Sequence, residues 1–204
     1  MIKIDNIISY IPASESPLSA DIGVIKGSKK TWLFDVGASD EALNEIQSID
    51  GEKVAVISHF HPDHMSNLSR LPDIECYVGS NTFKYSKRGI IVDSDLYIED
   101  GAWLHLFPIP SSHAKGSLGL EVNEKYAFIG DATAPTTKAR VTVYNAQKLY
   151  EEIKALDSMR AKYILQSHRM NHLYEKQEVV EKLKRIYAGR KSNEPFIICE
   201  EEYD

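Results

Sequence analysis

The segment Ser58–His64 places three histidines and one aspartate close together, in the order His-x-His-x-Asp-His. The imidazoles belong to His59, His61 and His64, and the carboxylate belongs to Asp63. Only seven histidines occur in the whole chain, so three of them in one short segment indicate a chemical role. Neutral imidazole and carboxylate are the ligands that zinc and similar metals prefer. Because residues two apart on an extended segment point to the same side, His59 and His61 can face one ion together.

The residues before this segment predict the element that positions it. Val54-Ala55-Val56-Ile57 is a short apolar run, which is typical of a strand buried on both faces. Polar groups that directly follow such a strand lie where open α/β layers place their binding sites. This context favours a metal site over the alternative, a solvated loop that is rich in histidine by chance.

Three further candidate ligands follow other predicted strands. His113 comes shortly after a strand over residues 103–109, and Asp131 follows a strand over residues 126–129. His168 follows a short strand over residues 163–165. Each of the three, taken alone, could be an ordinary capping or loop residue. Together with the first segment they form one constellation of potential metal ligands.

Short strands and a few helices make up the rest of the predicted structure, which indicates a layered α/β or α+β architecture. Asn123-Glu124 predicts the turn of a β-hairpin. Residues 12–17 are predicted to be a loop. Further strands are predicted over residues 2–11, 20–26, 31–34, 118–122 and 196–198, and helices over residues 39–48 with Ser39 as N-cap, 145–159 and 178–187.

Length and composition narrow the class of protein. A chain of 204 residues with 43% hydrophobic residues is expected to form a single domain over residues 1–204. The net charge of −6 argues against a broad nucleic-acid surface. Neither a long apolar run nor a signal peptide is visible, and two distant cysteines favour a cytoplasmic protein. The acidic residues 200–204 are expected to be a solvated tail.

The ligand order resembles that of the metallo-β-lactamase superfamily. Asp35, in the run Phe34-Asp35-Val36-Gly37, also resembles the early Asp-x-Gly turn of that superfamily. The similarity extends from about residue 2 to residue 170. It implies a four-layer αβ/βα sandwich, in which helices flank two mixed β-sheets and the site lies at one edge between the sheets.

The resemblance implies two divalent metal ions, with zinc expected and manganese or iron as alternatives. Asp63 is expected to be catalytic as well, because it would lie beside the attacking water. Asp35 would either orient a histidine through its ring nitrogen or be a simple turn carboxylate. The implied ligands are His59, His61 and His113 for the first metal, Asp63, His64 and His168 for the second, and Asp131 as the bridge.

The expected activity is that of a metal-dependent hydrolase, in which a hydroxide bridging the two ions cleaves an ester, a thioester or a lactone-like small molecule. An aspartate at position 131 resembles the glyoxalase II and lactonase branches. Only about 36 residues follow His168, too few for the helical glutathione-binding domain of glyoxalase II. The alternatives are a small phosphodiester as substrate, a persulfide dioxygenase-like iron enzyme and a non-catalytic metal-binding protein. Neither nucleic acid nor a membrane is an expected partner, and a homo-oligomer is left open.

Other polar residues are weaker candidates. His105 is expected to be structural or at the surface. His172 could line the pocket, Lys138 and Arg140 could recognise an anion, and Tyr144 could donate a hydrogen bond to a substrate oxygen.

Overall fold

The computed structural model describes residues 1–169 and 172–199, so the predicted acidic tail at residues 200–204 lies outside the described residues. In chain order the described strands are β1 (Ile2–Lys3), β2 (Ile8–Ile11), β3 (Ser14–Glu15), β4 (Leu18–Ser19), β5 (Ile22–Lys26), β6 (Thr31–Phe34), β7 (Lys53–Ile57), β8 (Glu75–Val78), β9 (Ile90–Ile91), β10 (Leu96–Glu99), β11 (Trp103–Ile109), β12 (Ser117–Val122), β13 (Tyr126–Gly130), β14 (Thr136–Lys138), β15 (Val141–Asn145), β16 (Tyr163–Gln166), β17 (Leu173–Glu175) and β18 (Phe196–Ile198). The described helices are α1 (Asp40–Ser48), α2 (Pro62–Met65), α3 (Ser80–Ser86), α4 (Ala146–Ser158) and α5 (Lys176–Ala188), with a 3₁₀ turn over Ser66–Arg70.

Two large mixed sheets form the centre of the molecule. The first sheet has the strand order β1-β2-β5-β6-β7-β8-β9, and the second has the order β10-β11-β12-β13-β16-β17. Strands β6, β7 and β8 run parallel in the first sheet. In the second sheet β13 and β16 run parallel, whereas their other neighbours are antiparallel. A small sheet β14-β15-β18 and a short hairpin β3-β4 lie outside these two sheets.

Alternate side chains along each central strand pack into different hydrophobic cores, one on each face of the sheet. In β6, Trp32 and Phe34 belong to the core between the sheets, whereas Leu33 packs on the opposite face. In β13, Phe128 faces the first sheet and Ile129 faces away from it. The rings of Phe34 and Phe128 lie 5.6 Å apart across the space between the sheets. This two-residue period follows from the pleat of the strands.

Helices cover the outer face of each sheet. Helix α1 packs apolar residues such as Leu43 and Ile46 against the first sheet, whereas α4 and α5 cover the second sheet with residues such as Leu149 and Leu183. Each such side chain contributes about 1.5–3 kcal/mol when it is fully buried. The predicted N-cap is confirmed, since the hydroxyl of Ser39 accepts a hydrogen bond from the N–H of Ala42. The predicted four-layer αβ/βα sandwich is therefore confirmed.

Some predicted boundaries are wrong near the N-terminus. The strand expected over residues 2–11 is interrupted, because the Asp5 side chain accepts hydrogen bonds from the N–H groups of Ile7 and Ile8 and turns the chain there. The loop expected over residues 12–17 contains β3, which pairs with β4. The predicted hairpin turn is confirmed, since Asn123 and Glu124 both have φ of 53°.

No helix among the described residues is both long enough and apolar enough to span a membrane.

Candidate metal centre

The predicted ligands meet at one edge of the sandwich, beyond the C-terminal ends of four strands. The segment after β7 supplies four of them, and the segments after β11, β13 and β16 supply one each. The two sheets are joined at this edge, because the N–H of Leu118 donates to the carbonyl oxygen of Ser58 over 2.8 Å. The candidate centre therefore combines side chains from both sheets.

A short helical turn presents the second half of the His-x-His-x-Asp-His segment. Helix α2 begins at Pro62, a residue whose fixed φ suits the first position of a helix. The carbonyl oxygen of His64 accepts hydrogen bonds from Val36 and Gly37, at 2.9 and 3.0 Å. These bonds attach α2 to the loop that follows β6, and so fix the direction of the Asp63 and His64 side chains.

The first ligand group consists of His59, His61 and His113, whose candidate ligand atoms lie within 4.8 Å of one another. The Nδ1 of His61 lies 3.0 Å from the Nε2 of His113. The Nε2 of His59 is buried and has no hydrogen-bond partner among the described residues. An unpaired buried polar atom costs about 1–3 kcal/mol, and a metal ion at this position would offset that cost. The three imidazoles thus fit a metal ion.

The second ligand group consists of Asp63, His64, Asp131 and His168, again within 4.8 Å of one another. The Nε2 of His168 lies 2.9 Å from Oδ2 of Asp63. Oδ2 of Asp131 lies 3.2 Å from the Nε2 of His64 and 3.5 Å from the Nε2 of His113, so Asp131 lies between the two groups. Its other oxygen, Oδ1, is buried without a partner in the described part of the chain. This position suits a carboxylate that bridges two ions.

Asp35 orients one of the candidate ligands. Its Oδ2 lies 2.7 Å from the Nδ1 of His64, and its Oδ1 accepts a hydrogen bond from the N–H of Ser58 over 2.7 Å. The residue is fully buried and has φ of 66°, a left-handed conformation that aspartate and asparagine tolerate better than most residues. Of the two roles predicted for Asp35, the structure thus supports the orientation of a histidine.

The electrostatics of the site favour bound cations. Burial, followed by repulsion from the neighbouring His64, lowers the pKa of His59 to about 2, so this imidazole keeps a free lone pair. Burial opposes a charge on His64, but Asp35 and Asp131 raise its pKa well above the ordinary value. Burial also opposes ionisation of Asp131, yet the nearby histidines lower its pKa to about 2. Carboxylates that attract a proton to His64 would equally attract a metal cation.

The centre is closed on one side and open on the other. His59 and His64 are buried, whereas His61, His113 and His168 are partly exposed. A stacked aromatic pair, Phe60 and Tyr85, flanks the open side.

The two rings of this pair lie 4.5 Å apart at 11°, and the ring of Phe60 lies 4.9 Å from that of His61. They line a groove of about 440 Å³ together with Met65 and Leu68. No local pattern in the sequence indicates the contact of Phe60 with Tyr85, because the two residues lie far apart in the chain.

The weaker candidates lie outside the ligand groups. The hydroxyl of the fully buried Tyr144 donates to the carbonyl oxygen of Thr133 over 2.7 Å, so its suggested contact with a substrate is wrong. His172 is buried, and its ring stacks on Tyr10 at 4.4 Å. The ammonium of Lys138 lies 3.7 Å from the ring centre of Phe196.

His105 is structural, as predicted. Its Nε2 lies 2.9 Å from Asp95, and its Nδ1 lies 3.3 Å from Glu121.

Comparison with protein-family models gives no match for this sequence, and comparison with curated proteins gives none either. Solved structures do match. An archaeal metallo-β-lactamase superfamily protein from Sulfolobus tokodaii is 20% identical, with 93% of this chain and 90% of that chain covered and a TM-score of 0.64. The chemotaxis sensor ODP, solved with a peroxy diiron species, is 16% identical, with 93% and 94% covered and a TM-score of 0.69.

A third match is a B3 metallo-β-lactamase with an active-site glutamic acid. It is 12% identical, with 84% of each chain covered and a TM-score of 0.66. These likenesses extend over most of the chain and agree with the four-layer arrangement of sheets and helices. The chain has the metallo-β-lactamase fold.

Proposed function

We propose that this protein is a metal-dependent hydrolase with a site for two divalent metal ions. The observation that carries the proposal is the arrangement of seven candidate ligands in two adjoining groups, with Asp131 between them. Two bound ions would supply an acidified water and polarise the oxygen of the bond to be cleaved. The proposed ligands are His59, His61 and His113 for one ion, Asp63, His64 and His168 for the other, and Asp131 for both.

The proposal assigns proton transfer to Asp63. This carboxylate is partly exposed and lies between His64 and His168, at 3.3 and 2.9 Å. Burial opposes its ionisation, but hydrogen bonds from these two histidines lower its pKa well below the ordinary range. Asp63 is therefore ionised, and its carboxylate can accept a hydrogen bond from a water molecule that reaches it from the open side.

Zinc is the metal that we propose, because three imidazoles facing one position are the ligand set of several catalytic zinc sites. We further propose a small molecule with an ester, thioester or lactone group as the substrate, and a cytoplasmic location. The two cysteines support that location, since Cys76 and Cys199 are both free thiols, as is usual in a reducing compartment.

A diiron oxidoreductase is the second candidate. One observation favours it, namely the likeness to a sensor that was solved with a diiron species. Iron also accepts imidazole and carboxylate ligands. The two candidates differ in what they consume, because a hydrolase needs only water, whereas the oxidoreductase needs oxygen and a reductant.

Metal analysis combined with a substrate panel tests the proposal. The protein is reconstituted with zinc, manganese or iron, and its metal content is measured. Each form is then assayed with p-nitrophenyl acetate, a thioester, a lactone and bis-p-nitrophenyl phosphate, and for oxygen uptake with a reductant. We expect two equivalents of zinc and hydrolysis of a carboxylic ester or lactone.

Two variants and one control complete the test. His61→Ala and Asp131→Ala should each abolish turnover, whereas His105→Ala removes a histidine outside the ligand groups and should keep it. Full activity in both ligand variants, or less than one equivalent of metal in the wild type, would refute the hydrolase. Oxygen uptake by the iron form without any hydrolysis would favour the second candidate.

A further inference from the structure

Two consecutive residues near the N-terminus contact the backbones of two candidate ligands in the second group. Ala20 and Asp21 lie between β4 and β5, far in the sequence from those ligands. The N–H of Ala20 donates to the carbonyl oxygen of Asp63 over 3.0 Å. Oδ2 of Asp21 accepts a hydrogen bond from the N–H of His168, also over 3.0 Å. The backbones of Asp63 and His168 are thus attached to adjacent residues of one segment.

The separation of these two attachments matters because the side chains of Asp63 and His168 meet at the position proposed for the second ion. Oδ2 of Asp63 lies 2.9 Å from the Nε2 of His168. Asp63 follows β7 of the first sheet, whereas His168 follows β16 of the second sheet. Ala20 and Asp21 therefore hold together two ligand segments that come from different sheets.

The backbone of His168 has a conformation that depends on its surroundings. Its φ is 56°, in the left-handed region, which is uncommon for any residue other than glycine. Such a conformation persists only where neighbouring contacts hold it. The N–H of Ser167 donates to the carbonyl oxygen of Gly130 over 3.2 Å, and the next N–H along the chain donates to Asp21. The second of these bonds has a side chain as its acceptor, so a substitution can remove it.

The carboxylate of Asp21 is itself held in one orientation. The residue is buried, with 5% of its surface exposed. Its Oδ1 accepts a hydrogen bond from the N–H of Ala13 over 2.9 Å, while Oδ2 accepts the bond from His168. Oδ2 also lies 3.7 Å from the Nδ1 of His172, but that nitrogen donates to the carbonyl oxygen of Gln166 over 2.7 Å. Hydrogen bonds to an ionised acceptor are among the stronger ones in proteins, so Asp21 is a firm attachment for the His168 backbone.

We infer that Asp21 is a positioning residue of the metal centre. It holds the backbone of His168, and Ala20 holds the backbone of Asp63, at the separation that lets both side chains bind the second ion. Asp21 thus acts through the main chain of its ligand, unlike a carboxylate that orients an imidazole through its ring nitrogen. The inference rests on the proposed two-metal hydrolase and concerns only the second ion of that site.

Zinc binding to two variants tests the inference without any need for turnover. Asp21→Ala removes both acceptor oxygens, and we expect it to lower the affinity for the second zinc ion about 10–100-fold. Asp21→Asn keeps the shape of the side chain but only one acceptor oxygen, so its affinity should lie between those of Asp21→Ala and the wild type. The affinity for the first ion should not change in either variant. Competition with a zinc chelator measures both affinities.

Asp100→Ala is the matched control for a loss of stability alone. It also removes a buried carboxylate that accepts hydrogen bonds from backbone N–H groups, those of Lys29 and Lys30. We expect it to lower the free energy of unfolding and to leave both zinc affinities as in the wild type. Wild-type affinity for the second ion in Asp21→Ala, or an equal loss in Asp100→Ala, would overturn the inference. A wild type that binds fewer than two zinc ions would instead contradict the proposed metal centre itself.

A double-mutant cycle with His168→Ala tests whether Asp21 acts through this ligand. If it does, Asp21→Ala should weaken binding of the second ion when His168 is present and have little further effect when His168 is replaced. Losses of affinity that combine as they would for two independent residues would overturn the positioning role of Asp21.

Discussion

The Nδ1 of His64 lies 2.7 Å from Oδ2 of Asp35, and the opposite nitrogen of the same ring lies 3.2 Å from Asp131. One imidazole thus connects a fully buried carboxylate to the candidate metal centre. A partner on the outer ring nitrogen fixes the orientation of a metal-binding histidine and increases its basicity.

Replacement of Asp35 by asparagine should weaken metal binding at the second position. The substitution keeps the shape of the side chain and suits the left-handed backbone at this residue, but it removes the negative charge beside His64. We expect the affinity for one of two zinc ions to fall about 10–100-fold, as measured by competition with a zinc chelator. The control is Asp40→Asn, which removes an exposed carboxylate that pairs with Arg70. Unchanged affinity at both positions in Asp35→Asn would show that Asp35 has no role in metal binding.

Metal addition should stabilise the fold. A ligand at about 100 times its Kd adds about 2.7 kcal/mol to the free energy of unfolding for each site. We expect saturating zinc to raise the free energy of unfolding, measured in urea, by about this amount for each bound ion, and a chelator to remove the gain. His59→Ala should lose the part of this gain that comes from the first ion, because the buried Nε2 of His59 is one of the candidate ligand atoms. His105→Ala should respond to zinc as the wild type does, and equal responses in all three proteins would contradict the ligand assignment.

Asp100 should stabilise the protein in a pH-dependent manner. Its buried carboxylate accepts hydrogen bonds from the indole of Trp32, from the hydroxyl of Ser28 and from the N–H groups of Lys29 and Lys30. Burial alone would raise the pKa of Asp100, but these bonds lower it to about 2. We expect Asp100→Asn to reduce the free energy of unfolding by about 1.5–3 kcal/mol at neutral pH.

The sign of the pH effect follows from the lowered pKa. The stabilisation is fully present above the pKa of the unfolded state, about 3.9, and is lost as the pH falls through that value towards about 2. Urea unfolding of the wild type and of Asp100→Asn should therefore give a smaller difference in the free energy of unfolding at about pH 3 than at about pH 7. If the difference in the free energy of unfolding were the same at both pH values, the ionised carboxylate of Asp100 would not be the source of the stabilisation.

Glu152 should destabilise the protein as the pH rises. Its side chain is fully buried in α4, and neither carboxylate oxygen has a hydrogen-bond partner in the described part of the chain. Burial raises its pKa well above the ordinary value. The folded state therefore keeps a proton that the unfolded state releases above about pH 4.3, and the free energy of unfolding decreases as the pH rises from that value towards the folded pKa.

Replacement of Glu152 by methionine removes this buried acid and keeps an unbranched side chain of similar length. We expect a gain of about 1–3 kcal/mol in the free energy of unfolding, larger at about pH 8 than at about pH 5. Urea unfolding at the two values provides the measurement. A gain that is equal at both would mean that Glu152 has the same protonation state in the folded and unfolded protein.

The candidate ligands could be predicted from the sequence because metal binding demands particular residue types. Imidazole and carboxylate groups stand out after apolar runs such as Val54-Ala55-Val56-Ile57, and parallel strands bring such positions to a common edge. Short apolar runs likewise predicted strands such as β5, β6, β11 and β16, and Ser39 predicted the start of α1. The strands β8, β9, β10, β14, β15 and β17 were not predicted.

Other features depend on contacts between distant residues and left no local pattern. The stack of Phe60 on Tyr85 and the hydrogen bonds that Asp100 accepts from the β5–β6 turn are of this kind. The interruption of the first predicted strand, by contrast, did have a local signal, because the Asp5 side chain accepts hydrogen bonds from N–H groups two and three residues later, and such bonds compete with strand formation.

The division of the seven ligands between the two sheets has a mechanical consequence. Each proposed ion would be held by side chains that follow β7 in the first sheet and by side chains from the second sheet. A bound ion would therefore act as a noncovalent crosslink between two halves of the core, while Asp100 joins the halves at the other end of β6. Local opening of the sandwich at the edge that carries the candidate ligands would then require release of an ion. Amide protons in β7 and β13 should therefore exchange with solvent together, and more slowly when zinc is bound.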